Sequence, residues 1–222
     1  MKLIKNTEIK KKIIEDSGFK SQFSFDPVSD TELFSAEAGE YIITEGVRPQ
    51  YLYYMCSGRA KLYMTLSNGK IALIDFFTAP CFIGEMELLT DTGEVRAVQA
   101  IEKCMCLALP LKRYRERLLK DSCFLLNLCR LLGNKNCRNI ISFTRNQAFP
   151  LANRLASFIL LTEEDGIYHE KHTLTAEYLG ISYRHLLFVL ADFTDKGYLA
   201  KDKRRYVICN RAALEKLAGE IK

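Results

Sequence analysis

AEYLGISYRHLLFVLADFTDKGYL, residues 176–199, is the stretch whose reading decides the fold. Ala176 and Leu179 share one face of a short helix, and Gly180 ends it. Glycine takes the positive φ of a tight turn at no steric cost. Ser182 then stands where a hydroxyl caps the next helix by accepting an orphan backbone N–H. In that helix Leu186, Val189, Leu190 and Phe193 follow the i, i+3, i+4, i+7 spacing of a buried stripe. At about 100° per residue, Arg184 and Phe188 point nearly opposite it. A helix with a packed back and a front carrying Tyr183, Arg184 and Phe188 suits a major groove.

An ordinary helical hairpin would share these features, but the next residues favour the first reading. Gly197 closes the helix, Tyr198-Leu199 begin a strand, Lys201-Asp202-Lys203-Arg204-Arg205 form a basic turn, and Tyr206-Val207-Ile208 resume β-favouring residues. Helix, turn, helix, hairpin is the order of a winged helix whose cationic tip meets phosphates.

Composition sets the wider frame. The 222 residues are 48% hydrophobic and 27% charged, as in an ordinary soluble globular protein. The start, MKLIKNTEIKKKIIEDSG, lacks the continuous apolar run of a signal peptide, and no segment has the length to span a membrane. A cytoplasmic location is expected. The net charge is −3 over residues 1–110, +7 over 111–148 and +1 over 149–222. The electrostatic case for nucleic acid therefore rests on the local cluster at the wing. Eight cysteines in such a chain are expected as reduced thiols. None forms a CxxC pair, and Cys104 and Cys106 fall on one strand face as small buried hydrophobes. Cys81, just ahead of Gly84-Glu85, is the first choice for a reactive thiol.

From Phe34 to Leu109 short β-favouring runs alternate with turns. Tyr41–Ile43, Tyr51–Met55, Ala60–Thr65 and Ile71–Phe77 are the clearest strands, and Asn68-Gly69 is a hairpin signal. Regular short strands of this kind argue for a β-sandwich or jelly roll. Past Pro110 the chain turns helical through about Gln147. Leu125, Leu128, Leu131/Leu132, Ile140/Ile141 and Phe143 mark an apolar stripe, interrupted by Gly133-Asn134-Lys135-Asn136. A long helix exposed between two domains commonly pairs with a second copy. Pro150 separates it from a further helix, Leu151–Leu161. The expected class is α+β: a β-roll sensor domain (1–110), a long dimerisation helix region (111–148) and a winged helix-turn-helix (149–222).

This order of parts resembles the Crp/Fnr superfamily of bacterial transcription regulators. The likeness covers nearly the whole chain, through GEYIITEG (39–46), LYYMCSGRAKLYMTLSNGKIALIDFF (52–77), FIGEMEL (82–88), NRLASFILL (153–161) and LGISYRHLLFVLADFTDKGYL (179–199). The resemblance implies a homodimer with paired long helices, each subunit presenting a recognition helix to half of a near-palindromic DNA site, with RNA polymerase as a further partner. Carried over by position, Ser182 would meet phosphate while Tyr183, Arg184 and Phe188 occupy base-reading positions. His185 and the wing residues Lys203, Arg204 and Arg205 complete the candidate DNA contacts. Phe188 departs from the usual polar residue and would suit a thymine methyl.

Cyclic-nucleotide-binding members use a Gly-Glu pair and an Arg followed by Ser or Thr. This chain has Gly84, Glu85 and Arg96 as tentative effector residues, but Ala97 follows the arginine. An ungapped count also puts Asn139 where those members carry an adenine-contacting threonine. The pattern argues against cyclic AMP, and a structural Glu85–Arg96 ion pair is the alternative role. The N-terminal cysteine cluster that holds iron–sulfur in the oxygen-sensing branch is absent, because the first cysteine is Cys56. No cofactor is assigned. A redox- or metal-responsive regulator using other thiols, or an iron–sulfur switch, is the rival regulator reading. A β-roll ligand-binding module without DNA activity would leave the wing unexplained. An enzyme reading fares worse, because His169, His172 and His185 all lie outside the β region where a jelly-roll metal site would need them.

Overall fold

The computed structural model describes residues 1–65, 67, 69, 71–90, 93–163 and 165–219, with only the backbone of 142, 143 and 145–147. The chain divides into two compact units, Met1–Asn136 and Cys137–Lys222.

The first unit contains two antiparallel sheets and the helices packed on one of them. Its elements are β1 (Lys2–Leu3), α1 (Thr7–Asp16), β2 (Glu32–Ala36), β3 (Tyr41–Ile43), β4 (Tyr51–Ser57), β5 (Arg59–Thr65), β6 (Ile71–Thr78), β7 (Cys81–Ile83), α2 (Glu85–Leu89), β8 (Ala97–Ala100), β9 (Cys104–Pro110) and α3 (Leu111–Lys120). One sheet runs β1-β2-β9-β4-β7 and the other β3-β8-β5-β6. All four strands read as clearest from sequence are present. In the expected Asn68-Gly69 hairpin, Asn68 lies outside the described residues.

β4 and β9 are buried on both faces. Tyr53, Met55, Cys104, Cys106 and Ala108 point into the core between the sheets. Leu52, Tyr54, Leu107 and Leu109 face outward and are covered by Phe19, Phe23, Tyr114 and Phe124. Such strands read as continuous apolar runs rather than alternating ones. The chain before residue 31 supplies part of that cover. Asn6 Oδ1 caps α1 by accepting from the N–H groups of Glu8 and Ile9 at 3.0 and 3.1 Å, and Ile14 is buried. Charges dominate the periodicity of this segment and hide the helix in the sequence.

Helix α4 (Ser122–Ala148) begins in this unit. Asp121 starts it, accepting from the Cys123 N–H at 3.0 Å and from the Ser24 N–H at 2.9 Å. Phe124 and Leu128 are fully buried and Leu131 partly so. The segment Gly133-Asn134-Lys135-Asn136 interrupts the apolar stripe in sequence, yet the helix passes through it unbroken. Ile140 and Ile141 are exposed, and the side chain of Phe143 lies outside the described residues.

The second unit comprises α5 (Leu151–Thr162), β10 (Ile167–Tyr168), α6 (His172–Leu179), α7 (Tyr183–Asp195), β11 (Leu199–Asp202), β12 (Arg205–Ile208) and α8 (Arg211–Gly219). Its strands order as β10-β12-β11. Leu155, Phe158, Ile159, Leu186, Leu190 and Phe193 form the buried centre. Two polar side chains are buried with them as a satisfied pair, Tyr168 Oη and Thr175 Oγ1 at 2.6 Å. No helix among the described residues is long and apolar enough to cross a membrane.

Candidate functional site

The helix-turn-helix follows from two local devices. Gly180 takes the left-handed conformation (φ 65°, ψ 35°) after α6, and the Ile181 N–H donates back to the Ala176 carbonyl at 3.0 Å. Ser182 is extended (φ −72°, ψ 147°) and its Oγ accepts from the His185 N–H at 3.2 Å, starting α7. Arg154 on α5 anchors the turn from behind, donating from Nη1 to the Leu179 carbonyl at 2.9 Å.

The buried face of α7 is the one read from sequence: Leu186, Val189, Leu190 and Phe193 are 8% exposed or less. The opposite face carries Tyr183 (49% exposed), Leu187, Phe188 (72%), Arg184 and His185. A solvated Phe leaves hydrophobic surface without an apolar contact.

The wing is tighter and less cationic than the sequence suggests. Lys201 pairs with Tyr206 and Asp202 with Arg205, so only Lys203 and Arg204 form the tip. Lys203 adopts φ 54°, a positive value unusual for a residue with a side chain. Arg205, expected at the phosphate-facing tip, is instead ion-paired to Asp202 at 2.7 Å.

His172 on α6 joins these parts, a role that sequence reading missed. Its ring centroid lies 6.1 Å from that of Tyr183 on α7 and 5.7 Å from that of Tyr206 on β12. Burial, followed by the Lys201 charge, holds its pKa below the ordinary 6.5.

The tentative effector residues lie in the first unit. Gly84 turns at φ +90°, and a Cβ there would sit 3.3 Å from the Tyr51 carbonyl, so the chain needs glycine. Glu85, the first residue of α2, is 5% exposed. Its partner is Lys135 of α4, with Nζ at 2.7 Å from Oε1, and not Arg96. Arg96 is exposed, and its charge acts with that of Arg48 to oppose the rise that burial causes at the Glu87 carboxyl. The expected alternative, a Glu85–Arg96 ion pair, is therefore corrected. Glu85 is buried while Arg96 stays in solvent, and the helix supplies the cation. Ala97 is fully buried in β8, and Asn139 is exposed.

In the sequence Lys135 belongs to the polar segment that interrupts the apolar stripe. A signal was present, since Phe124, Leu128, Leu131 and Lys135 follow i, i+4, i+7, i+11 spacing on one helical face.

The thiols divide by depth. Burial pushes Cys56 and Cys104 up to about 11 and Cys106 higher still, which suppresses the reactive thiolate. Cys81, expected as the reactive one, is 6% exposed in the inter-sheet core. Cys129, Cys137 and Cys209 are exposed. Among the described residues no three His, Cys, Asp or Glu side chains group as metal ligands would.

Comparisons with known proteins agree with this division of parts. The cyclic nucleotide-binding domain family matches residues 33–121, and the Crp-like helix-turn-helix domain family matches 153–217. The curated regulatory protein YeiL of Escherichia coli O157:H7 is 57% identical over 208 residues, covering 94% of this chain and 95% of that protein. Among solved structures, a CRP-family transcriptional regulator from Thermus thermophilus aligns with a TM-score of 0.73 at 20% identity, over 84% of this chain and 96% of that one. A protein from Eubacterium rectale assigned to the Crp/Fnr regulators aligns with a TM-score of 0.74 at 16% identity, over 96% and 94%.

Proposed function

The chain belongs to the Crp/Fnr family of transcription regulators, and on that premise we propose that it acts as a homodimer reading near-palindromic double-stranded DNA. The observation that carries this reading is the division of α7 into a fully packed back and a solvated front. With that helix in a major groove, Arg184 donates two hydrogen bonds to guanine O6 and N7, and Tyr183 and Phe188 contact neighbouring base edges. Ser182 and His185 at the helix N-terminus, with Lys203 and Arg204 at the wing tip, contact phosphates. Arg205 joins them only on leaving Asp202.

Dimerisation uses the face of α4 opposite Leu128. Leu126 (52% exposed) and Ile140 (56% exposed) lie there with Gly133 and Cys137, at i, i+14, i+7 and i+11. Residues 1–110 then form the sensor, 111–148 the dimer region and 149–222 the DNA reader. The protein works in the cytoplasm beside RNA polymerase and catalyses no reaction of its own. Cyclic AMP does not suit the sensor: Ala97 offers no hydroxyl to a phosphate, and Lys135 already holds Glu85. Burial of Cys81, Cys104 and Cys106 weighs against a thiol switch in the β-roll.

Selection of operators from a random DNA pool by the purified protein tests this reading. The expected product is a two-fold symmetric site with half-sites about one helical turn apart. Arg184→Ala then costs about 1–3 kcal/mol at one guanine position per half-site. Enrichment of no sequence, or of an asymmetric site bound by a monomer, would overturn it.

A further inference from the structure

The stripe that seats α4 on the first unit ends in a cation. Phe124, Leu128 and Leu131 pack on the β-roll, and one turn further Lys135 turns inward, its side chain 11% exposed. The Nζ meets Glu85 Oε1 at 2.7 Å and lies 4.1 Å from the centroid of the Phe77 ring. Glu85 is itself 6% exposed as a side chain, and Phe77 belongs to the inter-sheet core. A desolvated carboxylate and an aromatic face that converge on one point form a receptor for a primary ammonium group. The carboxylate accepts a charge-assisted hydrogen bond, and the negative face of the ring attracts the cation that lies over it.

We propose that Glu85 and Phe77 form an ammonium-binding site and that Lys135 is its resident, tethered ligand. This deepens the reading of the β-roll as an incomplete nucleotide pocket and rests on it: the carboxylate that would meet a ribose is committed to a lysine of the same chain. Tethering removes most of the translational entropy cost of binding, so the site stays filled without a diffusible effector. The first half of α4 is thereby held on the β-roll by an internal contact. A nucleotide entering there would have to break a buried ion pair and leave both charges desolvated.

The test is chemical rescue of the full-length protein. Lys135→Ala removes Cγ to Nζ, and n-propylammonium restores those same atoms. The variant is expected to melt below wild type, and n-propylammonium chloride to raise its melting temperature saturably. Potassium chloride and n-propanol at equal concentration are expected to do neither. Wild type and Lys135→Met/Glu85→Gln, which have no vacant charged site, are expected to give no amine-dependent shift. If Lys135→Ala does not fold, Glu85→Gln replaces it: leaving Lys135 buried without its carboxylate, it is expected to melt below the double variant. Equal amine shifts in wild type and Lys135→Ala, equal melting of Glu85→Gln and the double variant, or saturable calorimetric binding of cyclic AMP to wild type would each overturn the proposal. Operator selection by the wild type uses none of these variants, so failure of the DNA-binding reading would be visible separately.

Discussion

Arg205 Nη2 lies 2.7 Å from Asp202 Oδ2 across the two-residue tip of the wing. Both side chains are about half exposed, so the pair adds little to stability and acts mainly on the field that the wing presents. Asp202→Asn frees Arg205 and raises the local charge by one. Tighter operator binding is expected, with the slope of log Kobs against log salt steepening by up to about 0.9 as one further phosphate is neutralised. Fluorescence anisotropy across a salt series measures both. An unchanged slope would mean that Arg205 does not reach the DNA.

Ser182 caps α7 and is also proposed to meet a phosphate, and two substitutions separate these roles. Ser182→Ala removes the acceptor for the His185 N–H and is expected to cost about 1 kcal/mol of stability in urea unfolding. Ser182→Asp keeps a good capping acceptor, so its stability is expected near wild type. Its negative charge faces the phosphate, and its operator affinity is expected to fall. If Ser182→Asp binds as tightly as wild type, the phosphate contact is absent.

Phe188 is 72% exposed, so its replacement by alanine is expected to change stability by less than about 0.5 kcal/mol. Its contribution should appear only on DNA. Replacing the contacted thymine by uracil is expected to weaken wild-type binding by about 1 kcal/mol, the scale of one buried methyl. Phe188→Ala should be indifferent to the same change. Equal losses for both proteins would remove the methyl contact from the account.

His172 links acidity to the DNA-reading unit. Burial and Lys201 hold its folded-state pKa below 6.5, so protonation is harder in the folded than in the unfolded chain. The neutral-ring stability is full above about pH 6.5. It declines below that and is lost as pH falls through the depressed folded value. His172→Phe keeps an aromatic ring between Tyr183 and Tyr206 without the titration. Melting curves from pH 8 to 5 are expected to converge or cross for the two proteins toward acid. A constant difference would show that the ring does not titrate in this window.

The parts of this protein set by short-range chemistry were legible in the residue order. Gly180, the Ser182 cap and the Leu186–Phe193 stripe depend on neighbours within about two helical turns, and the structure places them as read. The strands from Tyr41 to Phe77 were legible for the same reason, since β-propensity and turn residues act locally. Less was visible where two signals overlapped. The charges of α1 masked its buried Ile14, and β4 and β9, apolar on both faces, show no alternation to mark which side faces the helices.

The sequence by itself determined the order of parts, the exposed face of α7 and the absence of a hydroxyl after Arg96. Only the tertiary structure decided which cation meets Glu85. Glu85 and Arg96 both match the nucleotide-pocket pattern, whereas Lys135, 50 positions from Glu85, lies outside it, so the pattern favoured the wrong partner. The outcome was set by packing: Phe124, Leu128 and Leu131 fix the rotation of α4, and that rotation carries Lys135 inward while Arg96 stays at the surface. A buried carboxylate requires a compensating charge, and the side chain delivered by the core supplied it.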